Sequence, residues 1–108
     1  MIYHLLLQRE WQEALNRGLY QPASLAVEGF VHCSTLEQVA ETARRFFAGQ
    51  AGLVLLHIDE SRLTARLEWE SPANPHDPRA NQRFPHVYGP INLEAVVEVR
   101  KFTSEFNF

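Results

Sequence analysis

Two apolar runs too short for helices, Ile2–Leu7 and Leu53–Ile58, constrain the fold of this chain most strongly. Runs of that length read as buried strands, and Leu53–Ile58 as a central one. Between them lies an amphipathic helix. Leu36, Val39, Ala40, Ala43, Phe46 and Phe47 recur at spacings of three and four, which draws one apolar stripe along it. Ser34-Thr35-Leu36-Glu37 reads as its capping box, with the Ser34 hydroxyl and Glu37 carboxylate meeting free helix N–H groups. Gly49 is expected to stop the helix, and Glu41 and Arg45 to pair on its wet side.

The rest of the pattern supplies partners for those strands. Gln8–Arg17 reads as a helix with Trp11, Ala14 and Leu15 on one face, closed by Gly18. Leu19–Glu28 reads as irregular because Pro22 forces a turn or extended stretch. Gly29–Cys33, Ala65–Glu70 and Ala95–Phe102 read as strands, and Phe84–Pro90 as an extended segment bounded by prolines. Residues 71–83 carry Pro72, Pro75 and Pro78 and read as a long surface loop. Two helices and about five strands, segregated along the chain, predict an α+β fold with a largely antiparallel sheet. At 108 residues this is a single domain, 1–108.

Composition narrows the function classes. The net charge of −3 argues against a protein whose main task is gripping nucleic-acid backbone. The single cysteine, Cys33, excludes an intrachain disulfide framework and suits a reducing compartment. The apolar start turns polar at Gln8, far short of the ~20 apolar residues of a membrane span, and it lacks the basic flank and cleavage site of a signal peptide. The expectation is a cytoplasmic protein with a small-molecule partner. Its oligomeric state is left open.

No phosphate-cradling glycine loop, C-x-x-C, H-E-x-x-H or G-x-S-x-G occurs. Chemistry therefore rests on isolated side chains, and five histidines stand out. His32 and Cys33 are adjacent on a strand and point to opposite faces, so Cys33 reads as a small buried residue rather than half of a dyad. His32 and Ser34 share a face. His4 is either a core histidine bonded to backbone or part of a site. His86 and Tyr88, two apart in a rigid extended segment, present one face that suits a flat ring. Arg66, Glu68 and Glu70 alternate on another strand, and Glu70 or Glu68 is the candidate acid if that face lines a cleft. His57 reads as a strand end and His76 as solvated. His4, His32 and His86 could converge on a metal, but they lack ligand spacing, so an organic ligand is favoured and no metal is assigned.

Ile2-Tyr3-His4, Gly29-Phe30-Val31-His32-Cys33-Ser34-Thr35, Arg45-Phe46-Phe47-Ala48-Gly49, Leu53–Asp59 and Phe84-Pro85-His86-Val87-Tyr88-Gly89-Pro90 together resemble the bacterial family called domain of unknown function 952. That family is similar to a compact ADP-ribosyltransferase fold, in which a split antiparallel sheet holds NAD in a cleft. The resemblance implies NAD as substrate and cleavage of the nicotinamide–ribose bond. Tyr3-His4 resembles the first-strand pair whose histidine meets a ribose hydroxyl, and Tyr88 is similar to the tyrosine that stacks on nicotinamide. The late glutamate of the superfamily has no matching motif here, and Glu70 takes the acidic role. The implied catalytic set is His4, Tyr88 and Glu70. The implied ligand-binding set is His32, Ser34, Thr35 and His86. A non-catalytic nucleotide-binding or interaction domain is the alternative, and a metal-dependent hydrolase a third.

Overall fold

In the computed structural model, which describes residues 1–72 and 74–103, the two apolar runs are neighbouring strands. β1 (Ile2–Leu7) pairs antiparallel with β4 (Leu53–Ile58), and β4 pairs on its other side with β8 (Val96–Phe102). β4 is the middle strand, and its continuous apolar run has a simple cause: both faces are covered. Val54, Leu56 and Ile58 enter one core with Ile2, Leu6, Val31 and Ile91. Leu53 and Leu55 enter a second with Leu5, Val39, Ala43 and Phe102. Each fully buried aliphatic side chain contributes about 1.5–3 kcal/mol.

The remaining strands make a second sheet. β3 (Val31–His32), β6 (Phe84–Tyr88) and β5 (Arg66–Glu70) form it in that order, all antiparallel. A short pair, β2 (Leu19–Tyr20) with β7 (Ile91–Asn92), flanks them. The two larger sheets meet at one bridge, where the backbone groups of Tyr3 and Ser34 exchange two hydrogen bonds of 2.8 Å each. The fold is α+β with antiparallel sheets, as the sequence pattern predicts.

α1 (Gln8–Arg17) has the expected bounds, and its amide entrance is closed when Glu10 Oε1 accepts the Leu7 N–H at 3.0 Å. Gly18, at φ +86°, takes the left-handed cap that ends it. α3 (Leu36–Phe46) lays Val39 and Ala43 on the sheet, while Phe46 projects from it, 60 % exposed.

Three expectations are corrected. Leu19–Glu28 is ordered rather than irregular: it holds β2 and a third helix, α2 (Ala23–Glu28), because Pro22 starts a helix well from just outside its first turn. α3 is capped by Thr35, whose N–H donates to Gln38 Oε1 at 2.9 Å, and not by the Ser34–Glu37 pair. Ser34 is held one step earlier, in the bridge to Tyr3, with its hydroxyl 3.3 Å from Thr42 Oγ1. Glu41 pairs with Arg44 (3.5 Å) and Arg79 (3.8 Å) instead of Arg45, which turns inward toward Asp77 (3.7 Å).

Candidate functional site

The seam between the sheets opens into a cleft of about 530 Å³. β1, β3 and β6 supply one wall through His4, His32 and His86, with Ser34 beside them. α3 and the loop after β5 supply the other through Thr42, Phe46, Asp77 and Arg79. Tyr20 and Glu28 also line the cleft. The lining is mostly apolar with a few convergent polar groups, the usual character of a small-molecule site.

His4 shares its strand face with Ile2 and Leu6, as the period of two requires. Its Nδ1–H donates to the His32 carbonyl at 2.5 Å, and its Nε2 accepts the Tyr20 hydroxyl at 2.8 Å. Burial pushes its pKa down to about 4, so the ring is neutral at pH 7. Both readings of His4 therefore meet in one residue. It is bonded to backbone, and it also lines the cleft. Burial pushes up the pKa of Tyr20 and of Cys33, which sits in the core, and keeps both protonated.

His32 and His86 are direct cross-strand partners in the β3–β6 register, and their ring centroids lie 5.4 Å apart. Each has its own carboxylate. His32 Nε2–H donates to Glu28 Oε2 at 2.7 Å, across the α2–β3 turn. His86 Nδ1–H donates to Glu70 Oε1 at 2.8 Å, and the Phe30 ring stacks on it at 4.1 Å. His86 is buried, and that burial lowers its pKa against the opposing pull of the Glu70 hydrogen bond. His86 Nε2 and His32 Nδ1 have no hydrogen-bond partner among the described residues.

Glu70 and Tyr88 lie behind this wall rather than on it. Tyr88 Oη–H donates to Glu70 Oε1 at 2.5 Å, and Arg66 caps the Tyr88 ring at 4.3 Å. Hydrogen bonds from Tyr88 and then His86 hold the Glu70 carboxyl below its usual range, and the same bond raises the Tyr88 phenol. The seven residues that the resemblance implies as a site thus divide. His4, His32, Ser34 and His86 line the cleft; Tyr88, Glu70 and Thr35 do not. Tyr88 faces Arg66 in the β5–β6 register, so its ring is covered from that side. His57 sits near the end of β4 and His76 is exposed in the loop.

The sequence reading missed Glu28, Tyr20, Phe30 and the pair Asp77–Arg79. Within the loop, Asp77 and Arg79 have side chains only 4 % and 7 % exposed. Asp77 Oδ1 accepts the Arg79 N–H at 2.8 Å, which does most to depress its pKa, and Arg79 Nη1 donates to Thr42 Oγ1 at 2.9 Å. The Arg79 guanidinium lies over the Phe84 ring at 4.6 Å. These contacts dock the loop on α3. A polar loop sequence carries no sign of that burial. The one usable hint was Glu28, four residues before His32.

Among the described residues, no three His, Cys, Asp or Glu side chains are grouped to hold a metal ion. No described helix is long and apolar enough to cross a membrane.

A family model described as "Protein of unknown function (DUF952)" matches residues 5–99. The chain is similar to protein CC0527 from Caulobacter crescentus. Its X-ray structure has 36% identity and a TM-score of 0.82, covering 94% of this chain and 85% of that one. Its solution NMR structure has 37% identity and a TM-score of 0.75, covering 93% and 82%. No curated protein matches.

Proposed function

The chain belongs to the DUF952 family, and from that premise we propose that its cleft takes a nucleotide-like small molecule and performs acid–base chemistry on it. The observation that carries this reading is the Glu70–His86 pair. A carboxylate fixed on Nδ1 of this cleft-lining ring leaves the Nε2 lone pair without a partner among the described residues, the arrangement of an oriented general base. Burial keeps that imidazole neutral and able to accept a proton.

The reaction that the resemblance to ADP-ribosyltransferases implies is cleavage of the nicotinamide–ribose bond of NAD. Positive charge develops on the ribose carbon in that step, and an anion nearby lowers its barrier. Glu28, in the cleft lining, is better situated for this than Glu70, whose Oε1 is taken by two donors. Tyr20, Phe46 and Phe84 offer the rings against which a flat ligand packs.

A second reading, ligand binding without catalysis, is favoured by His4. Both its ring nitrogens are engaged, so a ribose hydroxyl reaches one only by displacing Tyr20 or the His32 carbonyl. Calorimetric titration with NAD, ADP-ribose and nicotinamide, on wild type and His86→Ala, tests the proposal. Binding that weakens in the variant, with nicotinamide released from NAD, supports the enzyme. Binding without release supports the second reading. A folded protein that binds none of the three overturns both.

A further inference from the structure

We infer that His32 and His86 form an acid–base couple, and that the substrate class is a neutral N-glycoside whose base departs only when protonated. This rests on the proposed cleft and deepens it. Four features carry it. The two imidazoles are adjacent across one strand pair, with centroids 5.4 Å apart. Each is oriented by its own glutamate through one ring nitrogen, leaving the other ring nitrogen without a partner among the described residues. Both line the same cleft. Their surroundings differ: His86 is buried under Phe30, while the His32 side chain is 44 % exposed and ion-paired with Glu28.

That difference divides the roles. The buried imidazole suits the base, and the solvent-open one paired with a carboxylate suits the proton donor. In the step, a water O–H bond breaks as His86 Nε2 takes the proton and the oxygen bonds to the sugar carbon. The carbon–nitrogen bond breaks with its electron pair going to the base, and His32 Nδ1 delivers a proton to the departing nitrogen side of that base. Sugar and free base leave. His86 then loses its proton to solvent and His32 regains one.

The carboxylates of the cleft suit cleavage of this bond. Among the described lining residues, Glu10, Glu28 and Asp77 are the carboxylates and Arg79 the fixed cation. Arg79 is paired with Asp77 at 3.4 Å, so the remaining carboxylates set the sign. Carboxylates in the lining stabilise a sugar carbon gaining positive charge. The couple also selects among N-glycosides. Nicotinamide leaves NAD as a neutral ring and needs no acid, whereas adenine leaving a nucleoside does.

The test compares adenosine with p-nitrophenyl riboside, whose phenolate departs without protonation, on the full chain. Wild type is expected to release both leaving groups. His86→Gln should slow both. His32→Gln should slow adenosine by about 100-fold or more and the activated riboside by less than about 10-fold. Glu28→Gln, at an exposed site, should repeat that selectivity more weakly, whatever His32→Gln does to folding. Equal losses on the two substrates in both variants would overturn the inference and leave the cleft reading standing. So would NAD cleavage with adenosine untouched, or binding of these ligands with no release. A folded protein that binds neither adenosine, NAD nor ADP-ribose sinks the cleft reading itself.

Discussion

The ring of His4 is tied to the backbone of His32: its Nδ1–H donates to the His32 carbonyl oxygen over 2.5 Å. The bond joins the two sheets beside the Tyr3–Ser34 bridge, and Tyr20 closes it from the other side of the ring. The neutral imidazole is thereby a structural strut as well as a cleft wall.

Its pKa of about 4 in the fold lies below the ordinary value of 6.5, so the unfolded chain takes up the proton first as pH falls. Stability is full above pH 6.5 and is lost between there and pH 4. The His4 contribution to that loss is on the order of 3 kcal/mol. His57 and His86, also depressed by burial, act in the same direction. Urea midpoints of wild type and His4→Gln at pH 7 and pH 4.5 check this. The variant should be weaker at pH 7, by about 1–3 kcal/mol, with a shallower loss on acidification.

Glu70→Gln should release Tyr88. The carboxylate accepts the phenol's hydrogen bond and is the leading cause of its raised pKa. With a neutral amide there, the Tyr88 phenolate should form at lower pH than in wild type, followed by ultraviolet absorbance against a Tyr88→Phe control. Titration at an unchanged pH would mean that the bond does not hold the phenol.

Gly29→Ala should destabilise the chain by about 1–2 kcal/mol. Gly29 takes φ +85°, where a Cβ is disfavoured, and its N–H donates to Leu25 O at 2.9 Å to end α2. That turn sets Glu28 against His32. Denaturant midpoints should fall, and any activity that depends on the pair should fall with them.

Arg79→Ala should cost about 3 kcal/mol, because it takes the guanidinium from the buried Asp77 carboxylate and leaves it the backbone N–H of residue 79 and the more distant Arg45. Adding Asp77→Ala should restore part of the loss. Thermal melts of the single and double variants measure this. A double variant no better than the single would place the cost in packing of the loop instead.

The elements that were legible in the sequence are those whose signal is local. β1, β4 and α1 fall on their expected bounds because an apolar run, a helical period and a glycine cap act within a few neighbouring residues. α2 escaped because six residues after a proline carry little periodicity. The cap of α3 was misplaced by one residue because the serine that looked free to cap is claimed by a strand far back in the chain. Likewise, His4 and His86 were legible as residues of interest, but not the partners that orient them.

The sequence by itself therefore determined the longer strands, α1, α3 and the antiparallel α+β class, through hydrophobic periodicity and backbone chemistry. Only the tertiary structure decided which side chains meet. Register placed His32 against His86, and Glu70 within reach of both His86 and Tyr88. Docking of the loop on α3 buried Asp77 and Arg79. Such pairings join residues many positions apart, and their energies arise from burial and charge that exist only once the sheets have closed on each other.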